Sequence, residues 1–95
     1  MDSLSDVRAR IDAIDGDLVR LLAERQALVQ AAAAFKADAD AVRAPGRVEQ
    51  VVALARERAA SAGLSPEVAE AVWRAMIGAF IDLELDEHAR RTAAT

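Results

Sequence analysis

The chain has 95 residues, of which 54% are hydrophobic but only 3% aromatic, with two prolines, four glycines, no cysteine and a net charge of −4. That excludes a disulfide framework, a thiolate nucleophile and a cysteine zinc site. It also argues against a phosphate-binding basic face, for which no Lys/Arg-rich run is present, and against an all-β chain, which needs more turn residues. One all-α domain spanning residues 1–95, with a core of Ala, Leu, Val and Ile, is expected.

The first helix is expected from Leu4 to Lys36, a stretch without proline. Ser3 with Asp6 resembles a capping box at its start. Leu4, Val7, Ile11, Ile14, Leu18 and Leu21, then Leu28, Ala32 and Phe35, recur at gaps of three and four and mark one buried stripe. Arg25 interrupts that seam, and Lys36 follows on nearly the same face. A charge facing the interior is costly unless paired, and no acidic residue shares the face, so an anion must come from elsewhere. At ~1.5 Å per residue the helix extends about 50 Å, more than a compact chain of this size can cover.

Residues 37–44 read as a short polar connection. A second helix follows from about Pro45 to Ala62, with Val48, Val51, Val52, Ala55, Ala59 and Ala62 inside and Gly63 as its terminator. Ser65-Pro66-Glu67 is a strong start for a third helix, expected to about His88. That helix has two apolar stripes, Val68–Val72–Met76–Ala79–Leu83 and Trp73–Ile77–Phe80, and the second runs directly onto Glu84. Asp86–Arg90 and Glu87–Arg91 read as solvated i,i+4 pairs on a fraying end. His88 reads as a surface residue, and residues 92–95 as disordered. No apolar run approaches the ~18 residues a membrane span needs, and no signal-peptide h-region is seen, so a cytoplasmic protein is expected.

Two short helices cannot cover an apolar helix of that length, so an intertwined homodimer is expected. The charged positions also have plain readings. Arg25 could snorkel or set dimer register, Lys36 and Glu84 could be helix-end residues, and Arg8 an ordinary surface arginine. Arg47 lies in a first helical turn, where a cation is disfavoured. Taken together, several cations and one carboxylate directed into a small helical core suit a polyanionic ligand that needs holding more than proton transfer.

The stretch LSDVRARIDAIDGDLVRLLAERQALVQAAAAFK, then RAPGRV, then FIDLELDEH, resembles the all-helical chorismate mutase family and its close relatives, the isochorismate–pyruvate lyases. The resemblance covers about residues 4–88 and implies an intertwined dimer of three-helix chains. By position it implies that Arg8 reaches into the partner chain's site. Arg25 and Lys36 would bind substrate carboxylates, Lys36 also meeting the ether oxygen, and Arg47 would add a further cation. Glu84 falls where many members carry a glutamine that donates to the same oxygen, and Val29, Val48, Ile77 and Phe80 complete the substrate contacts. Ala44 and Val48 stand where bacterial mutases commonly have acids, Phe80 replaces a small polar residue, and APGRV looks closer to the lyase branch.

The implied reaction is the pericyclic rearrangement of chorismate to prephenate, a step of shikimate-derived aromatic biosynthesis that takes no cofactor and no metal. Lys36, Glu84 and Arg25 would be its catalytic residues. The alternatives are lyase action on isochorismate, a mutase for an amino-substituted chorismate, or a non-enzymatic helical dimer acting as an interaction module. No nucleic-acid or membrane partner is expected.

Overall fold

The computed structural model describes residues 2–94. Four helices follow one another: α1 (Leu4–Ala33), α2 (Ala39–Arg43), α3 (Pro45–Ala62) and α4 (Pro66–Ala94). The all-α class holds, and the three expected helices are joined by a short fourth.

Each boundary has a local cause. Ser3 starts α1 by accepting from the Asp6 amide at 3.1 Å. The helix ends earlier than its apolar spacing predicts, at Ala33. There the amides of Ala34, Phe35 and Lys36 turn to carbonyls only three residues back, at 3.0–3.3 Å. Such tight bonding is a common way to close a last helical turn. It throws Phe35 outward, 91% exposed, instead of leaving it on the inner stripe.

The expected connection at 37–44 carries α2. Asp38 caps it by accepting from the Ala41 amide at 2.9 Å, and Val42 is buried. Ala44 then adopts a left-handed conformation (φ 34°). Pro45 begins α3 in the first turn, where its missing N–H is no loss. Gly63 ends α3 with φ 80°, a conformation that suits a residue without a Cβ. Ser65 caps the start of α4, accepting from the Val68 amide at 3.3 Å. That helix does not fray at His88 but runs on to Ala94, with the Thr92 hydroxyl donating to the His88 carbonyl at 2.9 Å. Residue 95 lies outside the described residues.

The core sits where α4 crosses α3, α2 and the C-terminal part of α1. Val52, Ala55 and Ala59 of α3 and Ala69 and Ile77 of α4 are buried there, with Ala33 and Val42. Small side chains let these backbones approach closely. Arg74 braces the outside of the α3–α4 contact, its guanidinium donating to Glu49 at 2.8 and 2.9 Å and to Glu70 at 2.8 Å. Those hydrogen bonds, followed by the charge of Arg74, hold both carboxyls below their ordinary range.

The rest of α1 projects beyond this core. Leu4, Val7, Ile11, Ile14, Leu18, Leu21 and Leu28 all remain exposed. The molecule measures 59 × 26 × 16 Å with a radius of gyration of 16.6 Å, against about 12 Å for a compact chain of this length. The first apolar stripe of α4 is also uncovered at Val68 and Val72. No helix among the described residues is long and apolar enough to cross a membrane.

Candidate functional site

Three helices each turn one face toward a common cleft. From α1 come Arg25, Leu28, Val29 and Ala32; from the α2–α3 corner Ala44, Arg47, Val48 and Val51; and from α4 Ile77, Phe80, Ile81 and Glu84. Each set follows the three-and-four spacing that places side chains on one helical face. Lys36, from the turn after α1, and Val42 and Arg43 of α2 close the remaining side. The cleft encloses about 410 Å³, within the range of a small-molecule site.

Its walls are aliphatic and its polar groups few. Among the described residues, Glu84 is the only carboxylate lining it, beside the cations Arg25, Lys36, Arg43 and Arg47. Glu84 is 3% exposed, so it does not reach water as a helix-end residue would. Both of its carboxylate oxygens accept from Lys36 Nζ, at 2.9 and 3.2 Å. Burial makes that pairing necessary, since a buried charge without a partner is strongly unfavourable. The tightened turn at 34–36 carries Lys36 to Glu84, although Lys36 is no longer on the helix proper.

The arginines are held differently. Arg25, half-buried, lies with its guanidinium 5.4 Å from the centroid of the Phe80 ring. Arg47 donates to its neighbour Gln50 at 2.8 Å. Arg43 has a long contact of 3.8 Å with Asp40. None of these three is neutralised by a close carboxylate, so each can still meet an anion.

Of the residues singled out from the sequence, Arg25, Val29, Lys36, Arg47, Val48, Ile77, Phe80 and Glu84 all line this cleft. Arg8 does not. It lies exposed on α1, about 25 Å along the helix from Arg25. Ala44 and Val48 give the α3 side an acid-free surface. Arg43 was missed because residues 37–44 read as a connection. The signal lay in Asp38, a good N-cap four residues before an apolar Val42. No group of His, Asp or Glu suited to holding a metal ion occurs among the described residues.

Comparison with known proteins adds two findings. The model of the family described as chorismate mutase type II matches residues 7–85. An isochorismate pyruvate lyase from Pseudomonas aeruginosa is 46% identical over 56 residues, which cover 59% of this chain and 52% of the relative. The match therefore spans about half the length of that curated protein.

Proposed function

The chain belongs to the chorismate mutase type II family, and from that premise we propose that it is an enzyme converting chorismate to prephenate. The described residues form a single helical domain that acts as a homodimer. The observation that carries this reading is the convergence of Arg25, Lys36, Arg43 and Arg47 on one small apolar cleft with Glu84 as its only carboxylate.

The chemistry asks for little else. In chorismate the enolpyruvyl ether bond breaks while the methylene carbon bonds to the ring, and no atom is gained or lost. Arg25 and Lys36, with Arg47, clamp the two carboxylates and hold the compact conformer in which those carbons meet, which is catalysis by orientation. Negative charge grows on the ether oxygen as its bond breaks. A donor already in place there favours the transition state over the ground state. Lys36 supplies that donor. Glu84 orients Lys36 and, when protonated, donates to the same oxygen, since an ionised carboxylate only accepts. Arg8 serves the site of a second copy of the chain, paired along the exposed face of α1.

A second reading has support of its own. The Pseudomonas aeruginosa relative is named for lyase action on isochorismate, and Ala44 and Val48 offer no side-chain acceptor for a mutase substrate's ring hydroxyl. In that reaction the same ether bond breaks, a ring hydrogen passes to the methylene carbon, and salicylate and pyruvate leave. The clamp required is the same. An amino-substituted chorismate fits less well, because Lys36 already engages the one carboxylate that could meet an ammonium. A purely structural helical dimer leaves the converging cations without a purpose.

Purified protein supplied with chorismate and then isochorismate separates these readings. Prephenate from the first supports the mutase, and salicylate with pyruvate from the second supports the lyase. No turnover of either removes both of these readings.

A further inference from the structure

We propose that Arg43, at the end of α2, is a further ligand-binding residue of the cleft, contacting a carboxylate of the substrate at the rim. The proposal rests on reading the cleft as a dicarboxylate site. Its starting point is a charge imbalance. Four cations line the cleft with one carboxylate, and Lys36 already engages that carboxylate. Four cations against one carboxylate leave the cleft three positive charges in surplus for a ligand with two negative groups.

The backbone presents Arg43 firmly. Val42, its neighbour, is buried and pins α2 against the core. Asp38 caps the start of the helix, and the Ala44 amide closes its end on the Asp40 carbonyl at 3.0 Å. The left-handed Ala44 then turns the chain sharply into α3. Both Arg43 and Arg47 thus face the cleft across a helix break, where a continuous helix would place them one turn apart. A left-handed residue other than glycine is uncommon and costs conformational energy, and here it sets the corner that carries both arginines.

The side chain itself is free to move to a ligand. Its contact with Asp40 is 3.8 Å long, and the Asp40 side chain is 98% exposed. A solvated pair of that kind competes weakly with an anion bound in an apolar cleft. Arg47, by comparison, is already engaged by Gln50 at 2.8 Å. A guanidinium matches a carboxylate in a two-pronged geometry, which an ammonium cannot reproduce.

A rim contact formed equally in the ground state and the transition state changes binding and leaves the chemical step alone. The test compares the wild type with Arg43→Ala, Arg43→Gln and Arg43→Lys, and with Arg58→Ala as an exposed control away from the cleft. Steady-state kinetics are run on chorismate and isochorismate at low and high salt, with calorimetric binding of chorismate alongside. Expected for Arg43→Ala and Arg43→Gln is a rise of about tenfold in KM, with kcat within about twofold, shrinking at high salt. Arg43→Lys should recover part of that loss. A KM within twofold of wild type, or an equal effect in Arg58→Ala, overturns the proposal, as does a loss of helical content in Arg43→Ala. If the wild type binds chorismate without turning it over, the activity reading fails by itself, and a tenfold weaker binding by Arg43→Ala still supports the role. If the wild type neither binds chorismate nor turns over isochorismate, the dicarboxylate site and Arg43's part in it fall together.

Discussion

Arg25 holds its guanidinium over the face of Phe80, 5.4 Å from the ring centroid, and so ties α1 to α4 across the cleft. A ring attracts a cation through its quadrupole without neutralising it. A carboxylate in the same place would hold Arg25 as firmly but compete with any incoming anion. Phe80 therefore orients the arginine and leaves its charge available. Replacing Phe80 with leucine should lower kcat/KM about tenfold, in keeping with the ~0.5–2 kcal/mol that such contacts are worth. Tryptophan at this position, whose ring attracts a cation more strongly, should retain more activity than leucine. Arg25→Ala should cost at least about 10²-fold, as losing a preorganised charge contact commonly does. Equal activity in the leucine variant and the wild type would show that the ring does not position Arg25.

Lys36 and Glu84 raise a different question, because removing either partner changes both charge and chemistry. Lys36→Ala leaves Glu84 buried without its cation, which typically costs about 3–5 kcal/mol. It should also reduce kcat/KM by at least about 10²-fold. The double variant Lys36→Ala with Glu84→Gln should regain much of the stability in urea unfolding but none of the activity. Recovery of both would make the pair a structural clamp only. The single Glu84→Gln variant reports on the donor role. An ionised carboxylate only accepts, whereas the amide donates, so Glu84→Gln should retain or exceed wild-type kcat/KM. A loss of about 10²-fold or more would remove Glu84 from the donor role.

The three-and-four spacing gave away the long helices, and the breach of that spacing at Arg25 and Glu84 pointed to the cleft. Those signals are local to one helix. What lay beyond them depends on closure between elements. The turn at Ala34–Lys36 closes α1 on hydrogen bonds that reach back three residues instead of four, and from it Lys36 meets Glu84. No periodicity registers such a choice. The helix at 39–43 was hidden by its length, since five residues hold too few positions to show a period, and Arg43 was overlooked with it. The exposed stripe on α1 was legible as apolar, because periodicity marks a face whether its cover lies within the chain or outside it.

The Arg74 brace makes stability depend on pH in a definite direction. Glu49 and Glu70 are held below the ordinary carboxylate range, chiefly by hydrogen bonds from Arg74. Their folded-state values thus lie below their unfolded ones. The stabilisation is full above the unfolded value, near pH 4.5, and is lost as pH falls through the lowered folded values. Thermal melts between pH 7 and pH 3 should therefore show the wild type losing stability more steeply than Arg74→Gln below about pH 4.5. Parallel curves for the two proteins would show that the network contributes nothing measurable, as happens with many surface ion pairs.

The exposed face of α1 and the distant Arg8 can be tested together. Leu18 is 50% exposed in the single chain, where an isolated surface change usually alters stability by less than about 0.5 kcal/mol. If α1 pairs with α1 of a second copy, Leu18→Glu buries a charge at the seam. Light scattering should then show dissociation or unfolding at micromolar concentration. A wild-type protein that is already a folded monomer under those conditions would end the dimer reading. Complementation probes whether Arg8 serves the other chain's cleft. Arg8→Ala and Arg25→Ala should each be nearly inactive alone, because every site lacks one cation. Mixed, unfolded and refolded together in equal amounts, they form heterodimers in which one site carries both defects and the other carries neither. With random pairing, about a quarter of wild-type activity should return. If Arg8 acted within its own chain, or not at all, the mixture would show only the average of its two parents.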